Sequence, residues 1–321
     1  MNQTGGAQLP EYRQLGQNGS PDESSWGVFG EADEVGTLNL LSPDRVRDAA
    51  AAVTQGKVFS LNWNLELPGP AILGRGSPQH EVIVQDAGLD DRYTMLYPQA
   101  SSQWDSLAHV KHPLHGHYNG FAHDDVSGAS DTRLGIHNWA RRGIAGRFVL
   151  ADIARYREVH GDELDCSQRT PVTVAEIDDV LDWQRVKLRI GDILLLHFGW
   201  TQWYEGLSPD ARQAMGDGEQ FACPGLANER ASAEWLWDRH VSAIVADCPA
   251  VEAMPFYTGD ADGFLHYRLI PLLGMALGEM FDLAALAEDC ATDEIYEGLF
   301  TAAPLHKVGG IGSPANALAL K

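Results

Sequence analysis

Two short, predominantly apolar runs, Ile193–Phe198 and Val241–Ala246, constrain the fold more than any other feature of this sequence. Each has the length of a strand, and each is too apolar for an exposed surface, so each predicts a buried strand. The stretch Val58–Leu67 alternates apolar and polar residues, which predicts a strand with one buried face. Helical segments intervene between these strands without strict strand–helix alternation. The pattern therefore predicts an α/β fold.

Helix-start residues support the same fold class. Ser42, Thr173 and Asn228 precede three predicted helices, which are Pro43 to Gly56, Val174–Trp183 and Glu229 to His240.

The chain is predicted to form one domain preceded by a tail. Residues 1–25 are polar and rich in glycine, which is typical of a flexible arm that can wrap a neighbour. No Gly/Ser-rich or Pro-rich linker interrupts residues 26–321, so we expect a single catalytic domain there. The N-terminus lacks a basic stretch followed by an apolar run, and the four cysteines form no CxxC pair. Both features favour a cytoplasmic location.

Charge and missing motifs exclude several classes of function. The formal net charge is −22, and such a field repels nucleic acid and anionic membrane surfaces. No apolar run is long enough to span a bilayer. The sequence contains neither GxGxxG nor a P-loop, so no nucleotide cofactor is expected. A small organic molecule is the expected partner.

Histidines are concentrated in one stretch of the chain. Five of the twelve lie at His109, His112, His115, His117 and His123. Histidine moves protons near neutral pH and ligates metals, so this stretch is a candidate site. The His115–His117 pair could ligate a metal from one strand face. Surface histidines on a polar loop explain the same pattern equally well.

The segment Gln103-Trp104-Asp105-Ser106-Leu107-Ala108-His109 resembles the signature of the cyclase family. This family includes bacterial kynurenine formamidases and isatin hydrolases, and its fuller pattern is His-x-Gly-Thr-His-x-Asp-x-Pro-x-His. Asp105 and His109 match the second half of the pattern. Gln99 and Gln103 stand where the two earlier histidines would be. The chain therefore resembles a longer Gln-Trp-Asp variant that lacks two metal-ligand histidines.

Further segments extend the resemblance from about residue 35 to the last residue. They are Tyr118-Asn119-Gly120, Gly135 to Leu150, Gly191 to Leu195, Cys223 to Leu226, and Gly310 to Pro314. His266 and Glu279 stand where the family has a histidine and a glutamate that reach the site. The resemblance implies a single-domain fold with the β/β/α-like layering of the swivelling type. It also implies a homodimer or homotetramer.

The resemblance implies four site residues and one divalent metal. Asp105, His266 and Glu279 would ligate Zn²⁺ or Mn²⁺, and His109 would be the proton-transferring base. An amide oxygen is a poor substitute for imidazole, so a second metal position would be empty. The alternative for His266 and Glu279 is a pair in a salt-linked core. For Asp105 it is a turn cap before Ser106, and for His109 a structural histidine.

Substrate contacts are predicted from the residues that flank the motif. Trp104, Tyr118, Asn119 and Gln103 are the candidates, with Trp139 as a further aromatic. Core packing explains the aromatic residues equally well. Cys248 follows Asp247 at a predicted strand end, where either a nucleophile or a small buried residue would fit.

The implied reaction is hydrolysis of an amide, lactam or lactone bond in a small, partly aromatic substrate, with water activated at the metal. A metal-independent cyclase, dehydratase or isomerase acting on a polyketide-like or oxygen-rich ring is the alternative. A third hypothesis is a binding protein that reuses the fold without turnover.

Overall fold

The predicted buried strands lie side by side near the centre of a nine-stranded sheet. A computed structural model describes residues 9–17, 19–126, 132–218 and 221–321. Within these ranges the strands are β1 (Val58–Ser60), β2 (Gln79–Gln85), β3 (Gly88–Met95), β4 (Gln103–Asp105), β5 (Ile144–Asp152), β6 (Pro171–Val172), β7 (Ile193–His197), β8 (Gly225–Leu226), β9 (Ala243–Ala246), β10 (Ala276–Glu279), β11 (Glu297–Ala302), β12 (Gly312–Pro314) and β13 (Ala317–Leu320).

Helices and short helical turns complete the α/β fold that the sequence predicts. The helices are α1 (Pro43–Ala51), α2 (His137–Arg142), α3 (Ile153–Val159), α4 (Val174–Trp183), α5 (Trp200–Glu205), α6 (Pro209–Gly216), α7 (Arg230–Asp238) and α8 (Ala284–Asp293). Short 3₁₀ turns occur at Tyr12–Gln14, Gly36–Leu40, Tyr118–Gly120 and His123–Val126, and a π-helical turn occurs at Arg268–Leu272. No helix in these ranges is both long and apolar enough to cross a bilayer.

The large sheet is parallel at its centre and antiparallel on both sides. Its strand order is β1-β13-β11-β5-β7-β9-β10-β4-β12. The pairs β5–β7, β7–β9 and β9–β10 are parallel, whereas β4 runs antiparallel to both β10 and β12. The central strands are buried on both faces, which explains their predominantly apolar sequences.

Two of the three predicted helix caps form as expected. The Ser42 hydroxyl accepts a hydrogen bond from the Arg45 amide, and the Thr173 hydroxyl accepts one from the Glu176 amide. The predicted Asn228 cap is wrong. Its side chain instead donates to the Gly263 carbonyl at 2.5 Å, so α7 begins later and without a side-chain cap.

The strand predicted over Val58–Leu67 is shorter than expected. Only Val58–Ser60 pair with β13. Leu61 and Trp63 are still buried, so the apolar alternation correctly reports burial. After Leu61 the backbone leaves the ladder and turns, with the Leu67 amide bonded to the Asn64 carbonyl at 2.9 Å.

The N-terminal segment packs against the body of the protein. Tyr12 is only 1 % exposed, and its amide donates to Asp238 Oδ1 at 2.7 Å. The Ser25 amide donates to the Leu272 carbonyl at 2.9 Å. Within the stretch 1–25 that the sequence predicts to be a flexible arm, residues 9–17 and 19–25 thus include contacts to the body of the protein. Residues 1–8 and 18 lie outside the described ranges.

Strands β2 and β3 form a separate hairpin with exposed residues on both faces. Val84 and Leu89 pair across it and are 79 % and 69 % exposed. The hairpin begins and ends beside the loops that carry Arg75 and Gln99.

Candidate active site

Strand register brings the acidic residues of the site together. In the antiparallel pair β4–β10, Gln103 lies opposite Glu279, and Asp105 lies opposite Leu277. Directly opposed residues of such a pair point to the same face, and alternate residues share that face. Gln103, Asp105 and Glu279 therefore project from one face of the sheet, and Trp104 projects from the other.

Asp105, His266 and Glu279 converge as a buried cluster. One nitrogen or oxygen from each lies within 4.8 Å of the others. All three residues are at most 3 % exposed. His266 Nε2 lies 3.0 Å from Glu279 Oε1. Asp105 Oδ2 is buried and has no hydrogen-bond partner among the described residues, which leaves one carboxylate oxygen free for a ligand.

Glu252 fixes the orientation of His266 and was not predicted from the sequence. Its Oε2 lies 2.7 Å from His266 Nδ1, and Glu252 is fully buried. Burial alone would lower the pKa of His266, but Glu252 and Glu279 together raise that pKa well above its usual value. Because Nδ1 is committed to Glu252, Nε2 is the nitrogen that faces Asp105 and Glu279.

His109 lies at the more open edge of the cluster. Its Nε2 is 3.8 Å from Asp105 Oδ1, and its side chain is 26 % exposed. Gln99 Nε2 donates to Asp105 Oδ1 and lies 3.0 Å from His109 Nδ1. A carboxylate only accepts, so the Gln99 nitrogen must face it, and His109 Nδ1 must accept from the same amide. The proton of a neutral His109 ring is therefore on Nε2.

Arg75 and Gln103 complete the other side of the site. Gln103 Nε2 donates to Glu279 Oε2, and its Oε1 accepts from Arg75 Nη1 at 3.1 Å. Arg75 Nη1 also donates to the Gln99 carbonyl. No motif marked Arg75, because it lies in a loop between glycines and reaches the site only through tertiary folding.

The donor set fits a single divalent metal. One imidazole nitrogen and two carboxylates suit Zn²⁺ or Mn²⁺. The unpartnered Asp105 Oδ2 and the Glu252-backed imidazole are the features expected around such an ion, because a ligating histidine commonly donates its other N–H to a carboxylate. Gln99 and Gln103 turn their N–H groups toward the carboxylates, so they offer no second set of ligands.

Three predicted substrate contacts have other roles. Trp104 is fully buried and packs edge-to-face on Trp139, Phe281 and Phe300, as the core-packing alternative predicts. The Tyr118 hydroxyl donates to Asp33 Oδ2 at 3.1 Å.

Asn119 bonds to the N-terminal region. Its amide nitrogen donates to the Gly30 and Asp33 carbonyls at 3.1 and 3.0 Å, and its oxygen accepts from the Gly27 amide. The Tyr118-Asn119-Gly120 motif thus anchors residues 27–33. Of the four predicted contacts, Gln103 alone lies in the cluster.

The remaining histidines of the loop form two stacked pairs apart from these contacts. His112 stacks on His115, and His117 stacks on His123. Burial, together with the neighbouring imidazole, lowers the pKa of His112 and of His117 to about 4. The rings of His112 and His117 are therefore neutral at pH 7.

Cys248 does not have the properties of a nucleophile. It is fully buried, and its thiol faces the Ala250 carbonyl at 2.5 Å. Burial, together with Cys223, raises its thiol pKa well above the usual value. A protonated thiol is a poor nucleophile, so Cys248 is the small buried residue of the two alternatives.

Known proteins that are similar to this chain have a similar fold. The model of the Cyclase family ("Putative cyclase") matches residues 34–253. A crystal structure of a novel cyclase is 30 % identical over 93 % of this chain and 97 % of that chain, with a TM-score of 0.82. Isatin hydrolase A from Labrenzia aggregata, bound to benzyl benzoate, is 17 % identical over 88 % of this chain and 98 % of that chain, with a TM-score of 0.56.

A further isatin hydrolase, bound to the product analogue thioisatinate, is 15 % identical over 87 % of this chain and 99 % of that chain, with a TM-score of 0.54. No match was found among curated proteins. The two isatin hydrolases share the fold at low identity, whereas the novel cyclase is similar in both sequence and fold.

Proposed function

Because this chain belongs to the cyclase family, we propose that it is a hydrolase that cleaves an amide, lactam or lactone bond in a small organic substrate. One observation carries the proposal: Asp105, His266 and Glu279 converge in a buried cluster in which Asp105 Oδ2 lacks a partner. The similarity of the fold to that of isatin hydrolases supports the same class of reaction.

We propose that Asp105, His266 and Glu279 hold one divalent ion. When bound, such an ion supplies a Lewis acid and lowers the pKa of water. Glu252 keeps His266 Nε2 directed at the site, and Gln103 holds the Glu279 carboxylate by its other oxygen. Both contacts fix the ligands before the substrate binds, which reduces the reorganisation that the reaction requires.

His109 is the proposed proton-transfer residue. The neutral ring can take the proton of the attacking water at Nδ1, and the charged ring can then donate its Nε2 proton to a leaving nitrogen or oxygen. To accept a proton at Nδ1, the ring must first lose its hydrogen bond from Gln99. Gln99 therefore acts as a positioning residue for both Asp105 and His109.

Metal content and turnover together test this function. Elemental analysis of the purified protein should give one ion per chain, and H266A should lose it. H160A is the matched control, because His160 is exposed and bonded locally to the Tyr156 carbonyl. A panel of formamides, cyclic imides and lactones should contain at least one substrate. A protein that binds no ion and hydrolyses none of the panel would contradict the proposal.

The hydrogen bonds from the glutamines favour a second candidate, a metal-independent cyclase, dehydratase or isomerase. Gln99 and Gln103 each donate to a carboxylate that would otherwise need a cation. In that case Asp105 would orient His109, and acid–base chemistry alone would act on an oxygen-rich ring. Turnover by protein that elemental analysis finds free of metal would favour this candidate over the first.

We also propose that the chain is a homodimer or homotetramer. The exposed apolar residues of the β2–β3 hairpin support this, because an isolated two-stranded hairpin is at best marginally stable in water. Light scattering after size exclusion should give a mass of two or four chains. A monomer at micromolar concentration would contradict it.

A further inference from the structure

Arg75 lies in the site but belongs neither to the family motif nor to the proposed metal ligands. Its guanidinium is partly buried, and Nη1 makes two hydrogen bonds, to Gln103 Oε1 at 3.1 Å and to the Gln99 carbonyl. These are the two positions where the family pattern has histidines. The positively charged guanidinium of Arg75 therefore lies beside the two glutamines that replace those histidines.

Both hydrogen bonds of Arg75 use the same nitrogen. Nε and Nη2 have no hydrogen-bond partner among the described residues, and neither is a buried unpaired atom. Two N–H groups of a guanidinium form a planar fork that matches the two oxygens of a carboxylate. The remaining nitrogens of Arg75 are therefore free to bind an anionic oxygen.

The charge of the site explains why such a group is needed. Asp105, Glu252 and Glu279 are buried within one cluster. Gln103 links Arg75 to Glu279 directly, because its amide donates to the Glu279 carboxylate while its oxygen accepts from the guanidinium. A product carboxylate that enters this cluster is repelled by these three groups, and Arg75 adds to the positive charge that faces it.

Hydrolysis of an amide, lactam or lactone creates such an anion. Water adds to the carbonyl carbon, the carbonyl oxygen becomes an oxyanion, and the bond to nitrogen or oxygen breaks as the leaving atom takes a proton. The product retains a carboxylate. This inference rests on the proposed function, because that reaction supplies the carboxylate.

We propose that Arg75 is a substrate-binding residue that holds the reacting carbonyl oxygen and then the product carboxylate. The enzyme then accepts neutral substrates whose hydrolysis leaves a carboxylate beside Arg75. It is inhibited by simple aromatic carboxylates more strongly than by the matching neutral amides.

Benzoate and benzamide test this proposal, because they have similar shape and differ in charge. Calorimetric titration of the purified full chain should give a lower Kd for benzoate than for benzamide. R75Q should weaken benzoate binding about tenfold to a hundredfold, which is the range expected for a lost hydrogen bond to a charged group. Benzamide binding should change less than about threefold, since a neutral amide offers only an ordinary hydrogen bond.

Two further variants control for charge and folding. R185Q removes the same charge from a side chain that is 83 % exposed, and it should bind benzoate as wild type does. R75K keeps the charge but loses the fork, so its affinity for benzoate should lie between those of wild type and R75Q. If R75Q fails to fold, R75K decides: wild-type affinity for benzoate in R75K would overturn the proposal.

The outcomes separate this proposal from the proposed function. If a panel substrate is hydrolysed and R75Q changes neither kcat/KM nor benzoate binding, Arg75 has no such role, although the hydrolase stands. If nothing is hydrolysed but benzoate binding depends on Arg75, the anion site stands and the hydrolase fails.

Discussion

Two glutamines hold the acidic residues of the site where the family motif has histidines. An imidazole lends a lone pair to a cation, whereas the amide nitrogens of Gln99 and Gln103 give protons to Asp105 and Glu279. The presence of glutamine where the motif has histidine therefore removes two metal ligands, and it also holds the Asp105 and Glu279 carboxylates in position. The chemistry of single residues in this chain thus favours one ion over two.

His109→Ala tests the proton-transfer role at the residue scale. The side chain is at the open edge of the cluster, so its removal should leave the fold intact. Turnover of the best panel substrate should fall about 10²- to 10⁴-fold, the usual contribution of a positioned acid or base. Steady-state kinetics and a thermal melt measure the two effects, and H160A is the control. Wild-type turnover in H109A would refute the assignment.

Gly312→Ala tests whether Gln99 positions the site. Gly312 lies opposite Asp105 in the β12–β4 pair. A Cβ at this position would lie 2.5 Å from Gln99 Cγ, so the Gln99 side chain must shift, which displaces its amide relative to Asp105 and His109. We expect turnover to fall about tenfold to a hundredfold, because small misplacements of catalytic groups are costly.

Gly88→Ala is the matched control for this substitution, because nothing lies within 4 Å of a Cβ at Gly88. Kinetics of both variants, with circular dichroism to verify folding, make the comparison. Equal turnover in G312A and G88A would show that the position of Gln99 does not matter.

At the scale of secondary-structure elements, polar residues gather where the parallel strands end. Asp152 ends β5, His197 ends β7, and Asp247 follows β9. His197 Nδ1 lies 2.7 Å from Asp152 Oδ1, and its Nε2 lies 3.9 Å from Asp247 Oδ2. Asp247 also accepts hydrogen bonds from the Phe198, Gly199 and Trp200 amides, which lead into α5. This second buried cluster joins three strands to one helix.

The second cluster predicts a loss of stability at high pH. Burial would lower the pKa of His197, but Asp152 and Asp247 raise it to about 9. The unfolded value is about 6.5, so the charged ring stabilises the folded state fully below that pH. This stabilisation is lost as the pH rises through about 9. We expect the free energy of unfolding to fall by about 2–3 kcal/mol between pH 6.5 and 10.

The variant His197→Gln separates the contribution of His197 to the pH dependence of stability from the contributions of other titrating groups. Burial, with smaller contributions from neighbouring groups, raises the thiol pKa of Cys166 and of Cys290 to about 12, so both also reduce stability in this range. Asp282 and Arg155 carry further charges near the cluster. Urea unfolding of wild type and H197Q from pH 6 to 10 gives the difference. Parallel curves would contradict the assignment.

Local signals predicted the elements but not the whole site. Apolar runs marked β7 and β9, and capping residues marked α1 and α4, because these signals act between near neighbours. The sequence grouped Trp104 with Gln103 as a substrate contact, but Trp104 alternates with Gln103 and Asp105 along β4 and so points into the core. Glu252 and Arg75 carried no local signal, because only tertiary folding brings them to His266 and Gln103.

At the scale of the whole molecule, the N-terminal segment is connected to the site through one turn. Glu23 accepts a hydrogen bond from Tyr12 at 2.9 Å and pairs with Arg268 at 2.7 Å. Arg268 begins the π-helical turn that follows His266, and the Ser25 amide bonds to the end of the same turn. The segment therefore stabilises the backbone that carries a proposed metal ligand.

Tyr12→Ala should weaken both the fold and the site. The lost ring is buried, so the free energy of unfolding should fall by about 3 kcal/mol. Tyr12→Phe loses only the hydroxyl and should lose about 1 kcal/mol, since Arg268 still holds Glu23. Tyr257→Ala removes a tyrosine that is 71 % exposed and should match wild type. Urea unfolding measures all three.

Metal affinity distinguishes an N-terminal segment that influences the metal site from one that merely covers the surface. If docking of the segment restrains the turn after His266, Y12A should bind its ion more weakly than Y12F at equal folded fraction, because the ligand must be reordered on binding. Competition with a chromogenic chelator measures this difference. Equal affinities in the two variants would mean that the segment stabilises the protein without influencing His266. Unchanged stability in Y12A would favour the flexible arm that the sequence predicts.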